Sequence, residues 1–361
     1  MKYILIKMIK MYQGVPGSFH NSCRHIPTCS NYGIEAIQTH GSIQGSIMTA
    51  KRILKCNPLG TSGYDPVPQR REKMKKNIKL LLICLLLLPL TGCFKRDSME
   101  QIDIYTTVYP IEYVTNILYG ESSNVYSIYP DGIDVNTYEL TDKQIKDYSK
   151  SSLFIFNGLS SEKNYVVDFF KENKNIKIID TTLNMEYNNK IEELWLNPSN
   201  LLMLAQNIKN GLDEYINNHY LKNKIQANYD KLKIDVSNID AKLKLTAESA
   251  NSKTLVVSND LFKFLEKYDL NIISLENNPN LTEKVIADTT ALIKSGEISY
   301  IYVPQNEELN ETILKLQEET DVEIVYFHTL SSISETERND KTTYLDIMNN
   351  NIELLKKEIY E

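Results

Sequence analysis

Apolar and polar positions change period several times along this chain. Residues 2–12, KYILIKMIKMY, placed at 100° per residue, gather Lys2, Lys7 and Lys10 in one arc. Ile4, Leu5, Met8, Ile9, Met11 and Tyr12 fill the opposite side, and Tyr3 and Ile6 stray onto the basic one. The pattern predicts a short helix that suits a membrane interface with anionic lipid, and it serves an ordinary packing helix equally well. Helical spacing returns over 31–40 (Tyr32, Ile34, Ala36, Ile37), stops at Gly41, and resumes over 42–55 (Ile43, Ile47, Ala50, Ile53, Leu54). Lys51, Arg52 and Lys55 fall in that last turn, where cations complement the helix dipole. An unbroken apolar run follows over 80–90.

Beyond it, strand and helix patterns alternate. Strands are predicted over 102–108, 125–129, 153–157 and 176–180, with helices over 111–119, 141–148 and 161–172. A second series predicts strands over 254–258, 272–275, 298–303 and 322–327, with helices over 261–268, 281–295 and 309–319. Between them Ser199 can cap a helical region whose apolar positions run from Leu201 to Ile216. From Ile225 to Leu243 the apolar positions step by four and three, which argues for a long helix bridging two lobes. The fold class is therefore α/β: a small basic helical domain, then a two-lobed α/β binding protein with a long inter-lobe helix. The boundaries are 1–73, a signal segment 74–93, an N-terminal lobe 94–198, a linking helical region 199–250 and a C-terminal lobe 251–361.

Charge sharpens that division. Residues 1–74 hold 10 Lys+Arg against 3 Asp+Glu, whereas 97–361 hold 25 against 44. With 42% hydrophobic and 24% charged residues, global disorder and a polytopic membrane protein are excluded. All five cysteines lie at or before Cys93, so no disulfide framework exists in the acidic part. At the junction Lys73, Lys75, Lys76 and Lys79 precede the apolar run, which is too short to span a bilayer and ends in Leu90-Thr91-Gly92-Cys93. That order resembles the bacterial lipoprotein signal, which implies a diacylglyceryl group on Cys93 and cleavage after Gly92. Met74 begins the segment, and the codons for Arg70-Arg71-Glu72-Lys73 allow a purine-rich ribosome-binding site before it. One fused polypeptide and two adjacent gene products read as one frame are both open on this ground.

In the basic part, Cys23-Arg24-His25-Ile26-Pro27-Thr28-Cys29 and the later Cys56 form a C-x-H-x3-C…C constellation. It lacks the C-x2-C of zinc sites and reads first as reduced buried thiols. No aromatic and basic platform for nucleic acid is present, so an anionic membrane surface is the simpler partner. The stretches CRHIPTCSNYGIEAI, HGSIQGSIMTAKRILKCNP and TSGYDPVP resemble the YidD family of membrane protein insertion efficiency factors over residues 1–68, with Ser62 for a usual Gly and Asn57 for a usual His. The resemblance implies a peripheral protein on the cytoplasmic face of the plasma membrane, beside the YidC/Sec machinery, with no catalytic residues to carry over.

The stretches TTVYPIEYVTNILYG, YELTDKQIKDYSKSSLFIFNG, LWLNPSNLLMLAQNI, LVVSNDLFKFLEKY and YIYVPQN resemble, in order and spacing, the ZnuA-like binding lipoproteins of zinc and manganese ABC importers. This implies an ABC permease as partner and a lipid anchor on the outer face. At the positions where that family carries its metal ligands stand Asn136, Glu193, Asn259, Gln305 and His328. Amide carbonyls are poor zinc ligands, so the site is expected to hold a divalent metal weakly and no cofactor is certain. The cleft then suits a non-metal solute or a protein. None of the nucleotide, hydrolase or metalloprotease motifs occurs, and 97–361 hold only His219 and His328, so no enzyme is expected. His219 reads as solvent-exposed. Glu307-Glu308 and Glu318-Glu319 read as solvated helix faces.

Overall fold

The computed structural model describes residues 1–15, 23–57, 60–69 and 97–360. The expected signal segment, with Met74 and Cys93, lies outside them. The chain separates into two compact units, residues 1–94 and 95–361.

In the first unit, helix α1 spans Lys2–Gln13, strand β1 His25–Ile26, helix α2 Cys29–His40, helix α3 Ser42–Lys55 and strand β2 Gly63–Tyr64. The Thr28 side chain accepts from the Asn31 N–H and so caps α2. Helices α2 and α3 turn back on each other at Gly41. A Cβ on Gly45 would stand 2.5 Å from the Ile37 backbone, so only glycine allows their closest approach. Strands β1 and β2 pair in parallel, His25 with Gly63 and Ile26 with Tyr64. Arg52 lies in the last turn of α3, as expected, and is 3% exposed. Its guanidinium donates to the Pro27 carbonyl at 2.7 Å and lies 4.2 Å from the centre of the Tyr32 ring. The Asp65 carboxylate stands 3.8 Å from its Nε, and carboxylate, carbonyl and ring face together offset part of the hydration lost on burial.

The second unit holds two four-stranded parallel sheets. The first orders its strands β4 (Asn124–Ser127), β3 (Asp103–Thr106), β5 (Leu153–Phe156) and β6 (Lys177–Asp180). Helices α4 (Tyr109–Tyr119), α5 (Asp142–Tyr148) and α6 (Lys163–Glu172) connect them. The second orders β10 (Glu323–Phe327), β9 (Tyr300–Pro304), β7 (Thr254–Val257) and β8 (Asn271–Ser274). Both have the order 2-1-3-4, so each carries a switch point between its first and third strands, where ligand crevices form beyond the strand ends. Alternation is visible within single strands of the second sheet. Leu255 and Val257 enter the large core, while Val256, Ile301 and Val303 pack on the other face with Ile293, Ile313 and Leu316.

The linking region is two helices rather than one. Helix α7 is a single turn, Glu193–Leu196; α8 spans Pro198–Tyr215 and α9 His219–Glu248. Asn197, not Ser199, caps α8, its side chain accepting from the Ser199 N–H. The segment expected as a helix over 261–268 is a 3-10 helix, Asp260–Tyr268. Helices α10 (Glu283–Ser295) and α11 (Glu311–Glu319) cross over within the second lobe, and α12 (Glu335–Asn339) precedes α13 (Tyr344–Ile359). The sequence reading did not separate out α13, whose Tyr344, Met348, Ile352, Leu355 and Ile359 are buried at helical spacing.

Candidate functional site

A cavity of about 280 Å³ opens between the lobes of the second unit. From the first lobe come Asp134, Asn136, Lys190 and Glu192; from the second come Asn259, Gln305, Glu307 and Ser331. Asn259 and Gln305 sit just past β7 and β9, at the switch point of the second sheet. Asn136 belongs to the loop in which Asp134 accepts from the Asn136 N–H at 2.9 Å.

The structure brings Asn136, Asn259 and Gln305 to one cavity and places the other two expected positions differently. Glu193 is buried, its carboxylate accepting from the backbone N–H groups of Asn188 and Asn189 at 3.1 and 3.4 Å. Its neighbour Glu192 lines the cavity instead, and burial raises the Glu192 carboxyl above its ordinary range. His328 faces an adjoining hollow that it shares with Tyr326 and Glu337. Its Nδ1 accepts from the Leu330 N–H at 2.9 Å and its Nε2 stands 3.3 Å from Glu337. Burial lowers the His328 pKa against the opposing pull of that carboxylate.

Three residues not anticipated from sequence decide what the cavity offers. Lys190 Nζ pairs with Glu276 Oε1 at 2.6 Å, joining the two lobes, and Glu276 also accepts from the Asp260 N–H at 2.8 Å. The Glu276 contact raises the Lys190 pKa, so the ammonium is a fixed cation at the cavity wall. Glu307, expected as a solvated helix face, instead accepts from the Ser258 hydroxyl at 2.8 Å and from the Asn259 amide. Burial raises its pKa. Asn259 is engaged at both ends, because its Oδ1 caps the 3-10 helix at the Leu261 N–H. Glu307 lay within an acidic pair that any solvated helix could carry. The run Lys190-Ile191-Glu192-Glu193 held the usable carboxylate one residue earlier than the motif alignment.

This donor set does not fit tight zinc binding. Zinc takes imidazole nitrogen, thiolate or carboxylate in a tetrahedral set, whereas here one amide oxygen is spent on a helix cap and an ammonium sits at the wall. The cavity offers amides, the hydroxyls of Thr329, Ser331 and Ser332, the carboxylate of Asp134, the Glu192 and Glu307 carboxyls whose pKa burial raises, and a lysine, a surface for a polar solute with both donors and acceptors.

Away from the cleft, Arg338 ties the lobes together. It makes a bidentate pair with Glu112 at 2.8 and 3.0 Å and donates to Asp131 at 2.6 Å. Trp195 Nε1 donates to the Thr329 carbonyl at 2.8 Å, and Tyr344 OH to that of Trp195 at 2.7 Å.

In the first unit, α1 has no buried residue. Tyr3, Ile4, Met8, Met11 and Tyr12 are exposed with Lys7 and Lys10, while Leu5, Ile6 and Ile9 turn partly inward. Ile6, which the wheel put on the basic side, thus faces the protein. Lys2 Nζ donates to the Gln38 carbonyl at 2.8 Å, leaving Lys7 and Lys10 as the cations of the outer face. The described residues contain no helix long and apolar enough to cross a membrane. Cys23, Cys29 and Cys56 converge, whereas His25 points elsewhere, its Nε2 3.2 Å from Thr61 Oγ1.

Residues 104–358 match the family model described as "ZnuA: Zinc-uptake complex component A periplasmic", and residues 1–68 match that described as "YidD: Putative membrane protein insertion efficiency factor". Relatives bearing the latter name include one from Actinobacillus succinogenes, 52% identical over 77 residues, which are 21% of this chain and 88% of that one. Another from Mannheimia succiniciproducens is 56% identical over 77 residues, 21% of this chain and 86% of the relative. Among solved structures, the Zn(II)-bound ZnuA-like domain of Streptococcus pneumoniae AdcA superposes with a TM-score of 0.59 at 19% identity, covering 72% of this chain and all of that one. The laminin-binding protein Lbp of Streptococcus pyogenes gives 0.56 at 16%, covering 72% of this chain and 99% of its own. At such identities the likeness shows the two-lobed α/β fold alone.

Proposed function

We propose a function from two memberships: through residues 104–358 the chain belongs to the ZnuA family of zinc-uptake components, and through residues 1–68 it belongs to the YidD family of insertion efficiency factors. The protein is a composite of the two. The N-terminal part works at the cytoplasmic face of the plasma membrane, where it assists the YidC/Sec machinery in inserting membrane proteins. The C-terminal part is the solute-binding component for an ABC permease, held on the outer face by a lipid on Cys93. Neither part is an enzyme.

The cleft binds a polar solute and holds divalent metal only weakly. The observation that carries this is the Lys190–Glu276 pair at the wall of a cavity whose Asn259 carbonyl already caps a helix. Supporting it, Asn259 is engaged at both ends and Glu193 is turned to the Asn188 and Asn189 N–H groups, so two of the motif positions are already committed within the protein.

The test is calorimetry and thermal melting with Zn²⁺ and Mn²⁺ on the full chain with all five cysteines, Cys23, Cys29, Cys56, Cys84 and Cys93, changed to Ser, so that thiols do not contribute. A ligand that binds only the native state must raise its melting temperature. No shift at micromolar zinc is expected. A stoichiometric submicromolar site lost in Glu192→Ala would overturn the reading.

A second reading concerns production of the protein. If the C-terminal part is made as a separate product from Met74, altering that codon removes a lipoprotein beginning at Cys93 and spares a product begun at Met1. Immunoblotting of membrane fractions with an antibody to the C-terminus separates the two cases.

A further inference from the structure

Three sulfurs meet in the first unit although they come from three different elements. Cys23 precedes β1, Cys29 is the first residue of α2, and Cys56 follows the last turn of α3. Cys23 Sγ lies 3.4 Å from Cys29 Sγ and 4.0 Å from Cys56 Sγ, and all three fall within 4.8 Å of one another. Zinc–sulfur bonds of about 2.3 Å in a tetrahedral site put neighbouring sulfurs about 3.8 Å apart. The separations of 3.4 and 4.0 Å bracket that value.

The surrounding bonds hold this arrangement. The Cys29 N–H donates to Cys23 Sγ at 3.1 Å. Arg52 fixes the loop between those two cysteines through the Pro27 carbonyl, and Arg24 Nη1 donates to the Asn57 carbonyl at 3.2 Å beside Cys56. A disulfide would use two of these sulfurs and leave the third without a role, whereas one soft ion uses all three.

We propose that Cys23, Cys29 and Cys56 form a three-thiolate site for a single thiophilic divalent ion, of which Zn²⁺ is the representative. Binding forms three Zn–S bonds and releases the thiol protons to solvent, leaving the cluster with one negative charge. That charge is compatible with the surplus of lysine and arginine over acid in residues 1–74. The sulfurs border a cavity of about 820 Å³ that Met8, Ile9 and Tyr12 of α1 also line. The fourth coordination position therefore faces α1, where a water or an incoming group completes the tetrahedron. His25 stays outside the set.

The experiment uses the full chain with Cys84→Ser and Cys93→Ser, reduced and stripped of metal. Co²⁺ titration is expected to give a near-ultraviolet thiolate charge-transfer band that saturates at one equivalent and is displaced by Zn²⁺. Each of Cys23→Ser, Cys29→Ser and Cys56→Ser should weaken zinc by more than about 100-fold, beyond the 10–100-fold typical of losing a supporting residue. His25→Ala should leave the band in place. On the chain without the three serine changes, zinc should protect these cysteines from alkylation, read by peptide mass spectrometry, so the outcome does not depend on how the variants fold. Absence of the band, a band that survives the triple serine variant, or alkylation of all three at an undiminished rate would overturn the proposal. The cleft contributes no thiol, so its own metal affinity does not bear on this result.

Discussion

In the N-terminal unit three thiols crowd together over a buried apolar set of Tyr32, Ala36 and Ile37 among the described residues. In the C-terminal unit no cysteine exists, and a large apolar core runs from Met99 to Ile359 beside a smaller one on the other face of the second sheet. A small unit with so little core depends on particular residues: Gly45 for helix contact, Arg52 for loop and ring, cysteines at fixed places. Such residues resist exchange, and relatives retain 52–56% identity across this region. A large core depends on pattern, which many side chains satisfy. Structures with the same two-lobed fold are 16–19% identical to this chain.

The strongest test of that contrast is to restore ligands to the cleft. Asn136→His, Glu192→His and Asn259→His with Lys190→Met, in the chain with all five cysteines changed to Ser, should raise zinc affinity by at least about 100-fold. Titration calorimetry reads the gain. If the quadruple variant folds yet gains nothing, the frame has moved along with the ligands.

Next comes Glu162, fully buried in the first lobe, whose backbone partner is the Asn157 N–H at 3.1 Å. Burial raises its pKa from 4.5 to about 7. The folded state therefore keeps a proton that the unfolded state loses, and stability falls as pH rises from 4.5 to 7, by roughly 3 kcal/mol. Glu162→Gln should be more stable than the parent at pH 8 and indistinguishable below pH 4.5 in urea titrations. Parallel curves at every pH would refute this.

Arg338→Met should cost about 2 kcal/mol, since it strands Glu112 at 7% side-chain exposure while Arg338 itself is partly solvated. A double-mutant cycle with Glu112→Gln should recover part of the loss. The smallest effect is at the membrane. Lys7→Gln with Lys10→Gln should weaken binding to anionic vesicles by about 1 kcal/mol per lysine at low salt. Lys2→Gln should matter less, its ammonium being committed to Gln38. Equal binding to neutral vesicles would assign α1 to packing alone.

The alternating elements were legible because parallel strands buried on both faces leave continuous apolar runs such as Leu153–Phe156, flanked by helical spacing. The break at 216–218 was not, since it shows only as one step of five between Ile216 and Leu221, while Asn218 starts a new helix by accepting from the Tyr220 N–H. In the site, Asn136, Asn259 and Gln305 could be placed by motif. Glu192, Lys190 and Glu276 could not, because which of two adjacent glutamates faces inward depends on a single turn of helix, and the ion pair joins residues 86 apart. The meeting of Cys56 with Cys23 was hidden likewise, depending on how α3 returns along α2.

Helix α9, thirty residues and about 45 Å long, lends Leu221, Ile225, Leu232, Val236, Ile239 and Leu243 to the same apolar mass that both sheets share. Neither lobe can let go of it without wetting surface that the other lobe also needs. The C-terminal unit should therefore melt in one all-or-none step, with calorimetric and van't Hoff enthalpies in agreement. Cutting the chain between Tyr215 and His219 should yield two fragments that fold only when mixed.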